Sequence, residues 1–381
     1  MLLGIFTLLT SYLFAQETTG SYDWRDSSLI PSKRLGQHNE FLNNQYNFPA
    51  KPRSQWEVGL KVGTFNIIGD VPSQFPTPGF GVHVRKSLGY VFSLRAEYIY
   101  GMARGVSWKA RTAGLADHWI NAGYTGGANY VFDNYKSTVQ DLSIQGVFTM
   151  NNLRFHKGKT GFVVYALAGI GGTVYDTKVN VATDANAPHN FSSITNHNVY
   201  KDRRQTIKDV KNLLDGGSYN TEAENEGNAR SKLFGKTLRF SRTVGAGVAI
   251  KLSDKLNLAL EDRVTMIGDD LLDGVRWQNT GTPATGRVLT PSYDIYNYLS
   301  LGLNINIGSK TKSVQPLWWL NPLDYAYSEL NSPKHMKIPK PVLDDSDGDG
   351  VPDQFDMEPN TPAGAAVDTH GVSRDTDGDG V

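Results

Sequence analysis

Carboxylates recur at a fixed spacing near the end of the chain, and this spacing suits a hard metal ion. Counted from Asp345, they fall at loop positions 1, 3, 5, 9 and 12, with Gly350 at position 6 and Val351 at position 7. Calcium takes roughly six to eight oxygen ligands, which carboxylates and one main-chain carbonyl can supply. We therefore predict a Ca2+ site with the ligands Asp345, Asp347, Asp349, Val351, Asp353 and Asp356.

A second ladder of the same kind begins further on. It contains Asp375, Asp377 and Asp379, and Asp368 just before it is an additional candidate ligand. The alternative interpretation is an acidic flexible linker, which has no reason to repeat this period. The sequence stops at Val381, inside the second ladder, so we expect it to be the front part of a longer protein.

Composition excludes some classes of function. The chain has 381 residues, 38 Lys and Arg against 38 Asp and Glu, and no cysteine. A balanced charge gives no field that would recruit nucleic acid, so we predict no nucleic-acid partner. Without cysteine the chain has neither disulfides nor a lipidation site, and it must be stabilised or anchored in another way.

The start of the chain has the composition of an export signal. Residues 1–15 form an apolar run ending in Leu-Phe-Ala, which predicts cleavage before Gln16, although no Lys or Arg stands near Met1. The alternative is a membrane anchor, but the run is shorter than the ~20 residues that a spanning helix needs. Export is therefore the prediction.

Eight segments of about ten residues follow between Trp56 and Gly308, each alternating apolar and polar residues as strands do. In the first, Val58 and Leu60 alternate with Glu57 and Lys61. Three of the connecting links are short and four are long and polar. The short links are Ser87–Tyr90, His156–Thr160 and Ser253–Lys255, and the long ones are Gly69–Pro78, Ala103–Lys136, Lys178–Lys236 and Asp269–Tyr293.

This alternation of short and long links is typical of an outer-membrane barrel, with tight periplasmic turns and long external loops. Because an open sheet edge cannot face lipid, eight strands must close, and an even number returns both ends to the periplasm. A secreted β-sandwich is the serious alternative. A transmembrane helix at Gly161–Tyr175 is weaker, since the segment is short and rich in glycine.

The inward positions predict a filled interior rather than a pore. Eight strands enclose only enough room for their own side chains, and the predicted inward residues carry both signs of charge. The alternative is that some of them lie on solvated extensions beyond the membrane. The predicted inward residues are Glu57, Lys61, Arg85, Arg95, Glu97, Asp141, Gln145, Glu261 and Arg263. Aromatic residues near segment ends are expected at the lipid interface: Trp56, Tyr90, Phe92, Tyr175, Tyr296 and Tyr298.

Catalysis has little support in the sequence, and we predict no enzyme. No G-x-S-x-G motif occurs, and His118, His189 and His197 lie in predicted loops. His83 is expected to be an interior hydrogen-bond partner rather than a general base. The loop Lys178–Lys236 contains KDRRQTIKDVKNLLD at Lys201–Asp215, which predicts a short helix packing on the barrel rim.

These features together resemble the front part of an OmpA-family outer-membrane protein of the Bacteroidota type. The resemblance rests on WEVGLKVG at Trp56–Gly63, LSIQGVFTMNNLRFHKG at Leu142–Gly158, YALAGIGG at Tyr165–Gly172, LWWLNPLDYAYSEL at Leu317–Leu330 and the aspartate ladders, which are similar to thrombospondin type 3 repeats. Ser300, Gly302, Ile305 and Ile307 resemble the signal read by the barrel-assembly machinery, although an aromatic residue is usual where Ile307 stands.

The resemblance implies a tether between outer membrane and peptidoglycan, made through a further domain that this chain does not contain. The expected segments are 1–15 signal peptide, 16–55 periplasmic N-terminal segment, 56–308 barrel, 309–343 linker with a docking segment, and 344–381 calcium repeats. We expect outer-membrane lipid as a partner, both termini in the periplasm of a Gram-negative bacterium, and a calcium-stiffened stalk. One alternative is a subunit of a larger outer-membrane assembly, docked through Trp318 and Trp319. Another is a narrow diffusion channel.

Overall fold

The structure is a computed structural model that describes residues 22–150, 161–223, 230–278, 288–331 and 343–375. The predicted signal peptide and the predicted turn at His156–Thr160 lie outside these residues. The chain divides into two compact units, Met1–Tyr327 and Ser328–Val381. Residues 309–327, predicted as linker, therefore belong to the first unit.

The first unit is built on a closed antiparallel sheet. Its hydrogen-bonded order is β1, β2, β3, β4, β5, β8, β9 and β10, and β10 pairs with β1 to complete the ring. This confirms the predicted eight-stranded barrel. The strands are β1 Trp56–Ile68, β2 Pro78–Ser87, β3 Phe92–Arg111, β4 Val131–Thr149, β5 Phe162–Val179, the short β6 Thr221–Glu222 and β7 Lys232–Leu233, β8 Lys236–Lys251, β9 Leu256–Asp269 and β10 Asp294–Ile307.

Both ends of the barrel sequence reach the same rim. Trp56, which begins β1, pairs with Ile307, which ends β10, and we call this end the lower rim. The short links β2–β3 and β8–β9 also turn at the lower rim, whereas the long links are at the upper rim. The predicted link Ala103–Lys136 is shorter than expected, because β3 continues to Arg111 and β4 begins at Val131.

The long links form an ordered cap over the upper rim. Two helices, α2 (Asp117–Asn121) and α3 (Arg203–Leu214), lie in these links, and α3 confirms the helix predicted at Lys201–Asp215. Its inner face buries Val210 and Leu214. They join one apolar cluster with residues from the other links and the strand ends, including Trp119, Tyr124, Phe132, Phe191 and Trp277. Burial of this apolar area holds the upper links together.

A second group of short elements covers the lower rim. Residues 22–55 contain α1 (Leu35–Leu42) and two 3₁₀ turns, Ser27–Leu29 and Ser32–Arg34. After β10 the chain forms a third 3₁₀ turn, Leu317–Trp319, and then α4 (Asp324–Asn331). The segments before and after the barrel meet where Leu29 packs with Val314, Leu317 and Leu320.

Three of the aromatic residues expected at the lipid interface point inward instead. Tyr175, Tyr296 and Tyr298 are buried, and they pack with Phe65 and Tyr135 in a cluster near the upper rim. Trp56 and Phe92 do face outward on the wall. Among the described residues, no helix is both long and apolar enough to cross a membrane.

Candidate metal centre and barrel interior

The second unit brings three of the predicted calcium ligands together. One carboxylate oxygen each of Asp345, Asp347 and Asp349 lies within 4.8 Å of the others. The turn between them is held by Asp345, which accepts hydrogen bonds from the Gly348 and Gly350 amides at 2.9 and 3.0 Å. Both glycines have positive φ, +74° and +95°. Such a sharp turn favours glycine, as predicted for Gly350.

One oxygen in this group is left without a hydrogen-bond donor. Asp349 Oδ1 accepts from the Val351 amide at 2.7 Å, whereas its Oδ2 is buried and has no partner. Gly371 packs against this oxygen and against Asp356 Oδ1, so both carboxylates lie on the same small surface. Three adjacent carboxylates with a buried unpaired oxygen fit a hard cation, which would satisfy that oxygen and offset the repulsion.

The other predicted ligands are held by the protein itself. Asp353 accepts from both the amide and the hydroxyl of Ser346 at 2.7 Å, and Asp368 accepts from the His370 and Val372 amides at 2.8 and 3.2 Å. These hydrogen bonds lower the pKa of Asp353 and of Asp368. Both therefore stay ionised at neutral pH, yet neither joins the group of three.

The remaining candidates are spread through the unit. Asp356 Oδ1 accepts from the Glu358 amide at 2.8 Å, and Asp375 is exposed. Asp377 and Asp379 lie outside the described residues. Glu358, which was not predicted to have a role, accepts from the Ser373 amide and hydroxyl at 2.8 and 2.9 Å and so connects the two ladders. A lone acidic residue outside the ladder period gave no signal for this role.

The barrel interior contains the predicted network of charges. Glu97 lies 2.6 Å from Lys61 and 2.9 Å from Arg263, and Arg263 also reaches Asp141 at 3.0 Å. Glu261 accepts from Lys61 at 2.7 Å and from Arg95 at 2.6 Å. Gln145, the neutral member, donates to Glu97 at 2.9 Å.

The network is balanced and almost dry. Its cations are Lys61, Arg85, Arg95 and Arg263, and its anions are Glu57, Glu97, Asp141 and Glu261, all of them buried. Each cation contacts at least one carboxylate, including Arg85 on Glu57. A buried charge is tolerated only when it is paired and hydrogen-bonded. Each of these side chains has an oppositely charged partner, although Arg85 Nε and Arg263 Nε donate no hydrogen bond. The predicted inward positions are thus confirmed, and the alternative of solvated extensions is wrong for them.

The lower end of the interior is filled by Trp318 and Trp319. Both have 0% exposure, and they pack with Val163, Leu167 and Ala259 of the barrel wall. The Arg85 guanidinium lies 4.0 Å from the centre of the Trp318 ring, which is a cation–π contact. The prediction that these two tryptophans are exposed anchors for a partner is wrong, because the segment after β10 folds back into the barrel.

The histidines form no catalytic arrangement among the described residues. His83 Nε2 lies 3.5 Å from Glu57 Oε1 inside the barrel. His189 Nε2 hydrogen-bonds with Asn180 Oδ1 at 2.9 Å, and the His197 ring packs 4.4 Å from that of Tyr130. These contacts anchor the rings in the interior and the upper cap.

A buried carboxyl group that the sequence did not indicate ties the upper links together. Asp273 accepts hydrogen bonds from the amides of Val71 and Val275, both at 2.9 Å, and so joins the β1–β2 link to the β9–β10 link. Burial, together with the neighbouring Asp70 and Asp270, raises the pKa of Asp273 to about 7. No lysine or arginine of the described residues forms an ion pair with it.

The stability of this junction is expected to fall as the pH rises. The folded state retains a proton on Asp273 that the unfolded chain loses near pH 4, so the contribution is complete below about pH 4 and is lost up to about pH 7. For one proton the slope is at most ~1.4 kcal/mol per pH unit. Hydrogen–deuterium exchange of the peptides around Val71 and Val275, corrected for the intrinsic rate, should show less protection at pH 8 than at pH 5.

Asp273→Asn should remove the part of this pH dependence that comes from Asp273, since the amide does not titrate. The adjacent buried Asp294, which accepts from the Asp273 amide at 3.2 Å, keeps its own part. Glu222→Gln, an exposed acidic site on β6, is the matched control and should leave it unchanged. Equal protection at pH 5 and pH 8 in the unaltered protein would contradict the assignment.

Comparisons with known proteins find distant structural similarity to other barrels. No protein-family model and no curated protein matches the sequence. Among solved structures, Neisserial surface protein A aligns at 10% identity over 68% of this chain and 100% of its own, with a TM-score of 0.30. Ail of Yersinia pestis in complex with sucrose octasulfate aligns at 8% identity over 67% and 99%, TM-score 0.31. The N-terminal barrel of Pseudomonas aeruginosa OprF aligns at 7% over 67% and 99%, TM-score 0.26. At such values the barrel is established by its own strand pairing.

Proposed function

We propose that this protein is an outer-membrane barrel that anchors a calcium-stiffened stalk in the periplasm. The observation that carries the membrane assignment is the outer surface of the barrel. Large apolar side chains stand exposed there on every long strand, for example Leu60 at 60%, Leu142 at 63%, Ile170 at 60% and Leu260 at 53%. Soluble proteins rarely expose a continuous apolar surface of this size, whereas a bilayer requires one.

The two faces of the barrel support the same proposal. Its interior is charged and its exterior is apolar, which is the reverse of a soluble sandwich with an apolar core. Trp56, Phe92, Phe148 and Phe162 stand at the lower rim, where an aromatic girdle is expected. The short links at this rim match periplasmic turns, so both neighbouring chain ends are assigned to the periplasm.

Heat modifiability tests the membrane assignment. The full chain is purified from membranes in mild detergent, and its gel mobility in SDS is compared before and after boiling. We expect a faster unboiled band, since a closed barrel stays folded in SDS. Identical mobility, with a protein that is soluble without detergent, would contradict the proposal.

The proposed stalk and tether depend on calcium binding in the second unit. Their support is the Asp345–Asp349 group, where a bound Ca2+ would draw the three carboxylates together and stiffen the segment. Peptidoglycan attachment requires a wall-binding domain after Val381, and the gene sequence beyond that codon tests this.

The two alternatives are disfavoured by specific contacts. The subunit hypothesis loses its anchors, since Trp318 and Trp319 are buried in the barrel. A diffusion channel needs an open path, whereas the charge network and these two rings occupy the described interior. In planar bilayers we therefore expect no steady single-channel conductance.

A further inference from the structure

A cavity of about 570 Å³ lies below the lower rim, between the segments that precede and follow the barrel. This volume is within the range of ligand sites, ~300–1,000 Å³. Five aromatic rings contribute to its wall: Tyr22, Trp24, Phe48, Tyr90 and Tyr325. Nothing in the proposed anchor or stalk uses this cavity.

Positively and negatively charged side chains both line the cavity. Arg34 and Lys51 supply two cations, and the Lys51 ammonium lies 5.9 Å from the centre of the Tyr90 ring. Asp324, at the start of α4, supplies a carboxylate. No ion pair among the described residues includes Asp324.

Two tyrosines of the cavity wall interact with these charges. Tyr22 and Tyr90 are hydrogen-bonded to each other, and the charge of Asp324 acts on both. Arg34 acts on Tyr90 as well. Burial raises the pKa of Tyr22 and of Asp324, which places these groups in a partly dry environment. A ligand in this cavity therefore meets a carboxylate, two cations and several aromatic rings.

We propose that the cavity binds a zwitterionic phospholipid headgroup, namely the phosphoethanolamine group of phosphatidylethanolamine. Its ammonium would contact Asp324 and the aromatic rings, and its phosphate would contact Arg34 and Lys51. Only two carbons separate the phosphate and the ammonium of this headgroup, so a single cavity lined by both signs of charge can take both groups.

The position of the cavity favours a lipid over a soluble zwitterion. Tyr90 lies in the β2–β3 turn, where Leu88 is 56% exposed on the outside of the barrel. The outward rings of Phe92 and Phe148, 5.0 Å apart, continue the wall above this turn. An acyl chain can follow this apolar surface while its headgroup enters the cavity. This step rests on the proposed membrane assignment.

Native mass spectrometry of the full chain tests the proposal. The protein in mild detergent is mixed with equal amounts of short-chain phosphatidylethanolamine and phosphatidylglycerol, and the first bound lipid is identified. We expect at least about a tenfold preference for phosphatidylethanolamine, as for one charge-assisted hydrogen bond. Equal binding of the two lipids by the unaltered protein would overturn the proposal.

Substitutions assign the preference to particular residues. Asp324→Asn should abolish the preference, and Arg34→Ala with Lys51→Ala should weaken both lipids by about tenfold. Lys33→Ala and Asp23→Asn remove neighbouring charges that do not line the cavity, and they should behave as the unaltered protein does. An unchanged preference in a folded Asp324→Asn variant would count against the site.

Two further arms separate the sources of failure. Glycerophosphoethanolamine has the headgroup without acyl chains, and we expect it not to displace the lipid at equal concentration. Displacement would mean that the cavity takes a soluble zwitterion, and the lipid assignment would be wrong. The same samples are tested for heat modifiability, so a failed membrane assignment is recognised independently of the cavity.

Discussion

Arg263→Ala is expected to lower the free energy of unfolding by ~3–5 kcal/mol, because it removes the cation that lies between two buried carboxylates and leaves one of them without an ion pair. Arg263 lies 2.9 Å from Glu97 and 3.0 Å from Asp141, and both carboxylates are fully buried. Glu97 keeps Lys61 and Arg95 as partners, whereas the partners that Asp141 keeps among the described residues are the hydroxyls of Thr173 and Ser241. The cost should therefore fall mainly on Asp141.

The measurement is urea unfolding of the barrel in lipid or detergent, followed by tryptophan fluorescence and gel mobility. Arg242→Ala is the matched control, since Arg242 lies on the adjacent strand β8 but faces outward. Because Arg242 stands on the apolar exterior, removing its charge should cost no more than ~0.5 kcal/mol and can even stabilise the barrel. A similar cost for the two variants would mean that the interior charges are not mutually satisfied.

A double-mutant cycle then isolates the pair. Adding Asp141→Asn to Arg263→Ala removes the stranded charge, and the double variant should be more stable than the sum of the single changes predicts. The expected coupling is ~1–3 kcal/mol. Additive effects would indicate that Arg263 acts through Glu97 alone.

Strand alternation was sufficient to predict the barrel and its interior. Because side chains alternate sides along a strand, one buried position fixes all the others in that strand, and Glu97 or Arg263 could be placed from sequence. The same alternation also placed Tyr296 and Tyr298 on the inward face, opposite Leu299. They were assigned to the lipid interface because they are aromatic, although the strand alternation places them on the inward face.

What the sequence could not show depends on contacts between distant segments. The upper cap buries Trp119 against Phe191 from another link, and local periodicity does not report such pairs. Trp318 and Trp319 were predicted as interface anchors, because the local sequence does not distinguish a tryptophan that will be exposed from one that will be buried. The cavity below the lower rim combines Tyr22 with Asp324, which lie at opposite ends of the first unit.

The aspartate ladder was predictable for a different reason. A twelve-residue loop is a local structure, so spacing alone brought Asp345, Asp347 and Asp349 together with the glycine turn. Its outer positions were less predictable. Ser346 donates hydrogen bonds to Asp353, and two main-chain amides donate to Asp368. Both contacts depend on how the loop closes.

Asp347→Ala combined with Asp349→Ala is expected to abolish calcium binding at the first ladder. The pair removes two of the three clustered carboxylates, including the buried Asp349 Oδ2 that has no donor. Calcium affinity follows the number of charged ligands, so we expect at least a hundredfold loss at this site. Isothermal titration of the full chain should show one fewer bound Ca2+ per chain. Asp344→Ala, which removes a neighbouring acid outside the group, should bind normally.

Amide hydrogen exchange provides a second, independent measure of the same site. A ligand that binds only the folded state stabilises it by ~2.7 kcal/mol at a concentration one hundred times its Kd. Protection of Gly348, Gly350 and Thr361 amides should therefore increase with Ca2+, because all three donate to Asp345 or Asp347. The double variant should lose this increase, whereas Asp353→Ala should reduce protection with and without Ca2+, since its carboxylate closes the loop through Ser346. Unchanged titration in the double variant would refute the ladder as a calcium site and leave it an acidic spacer.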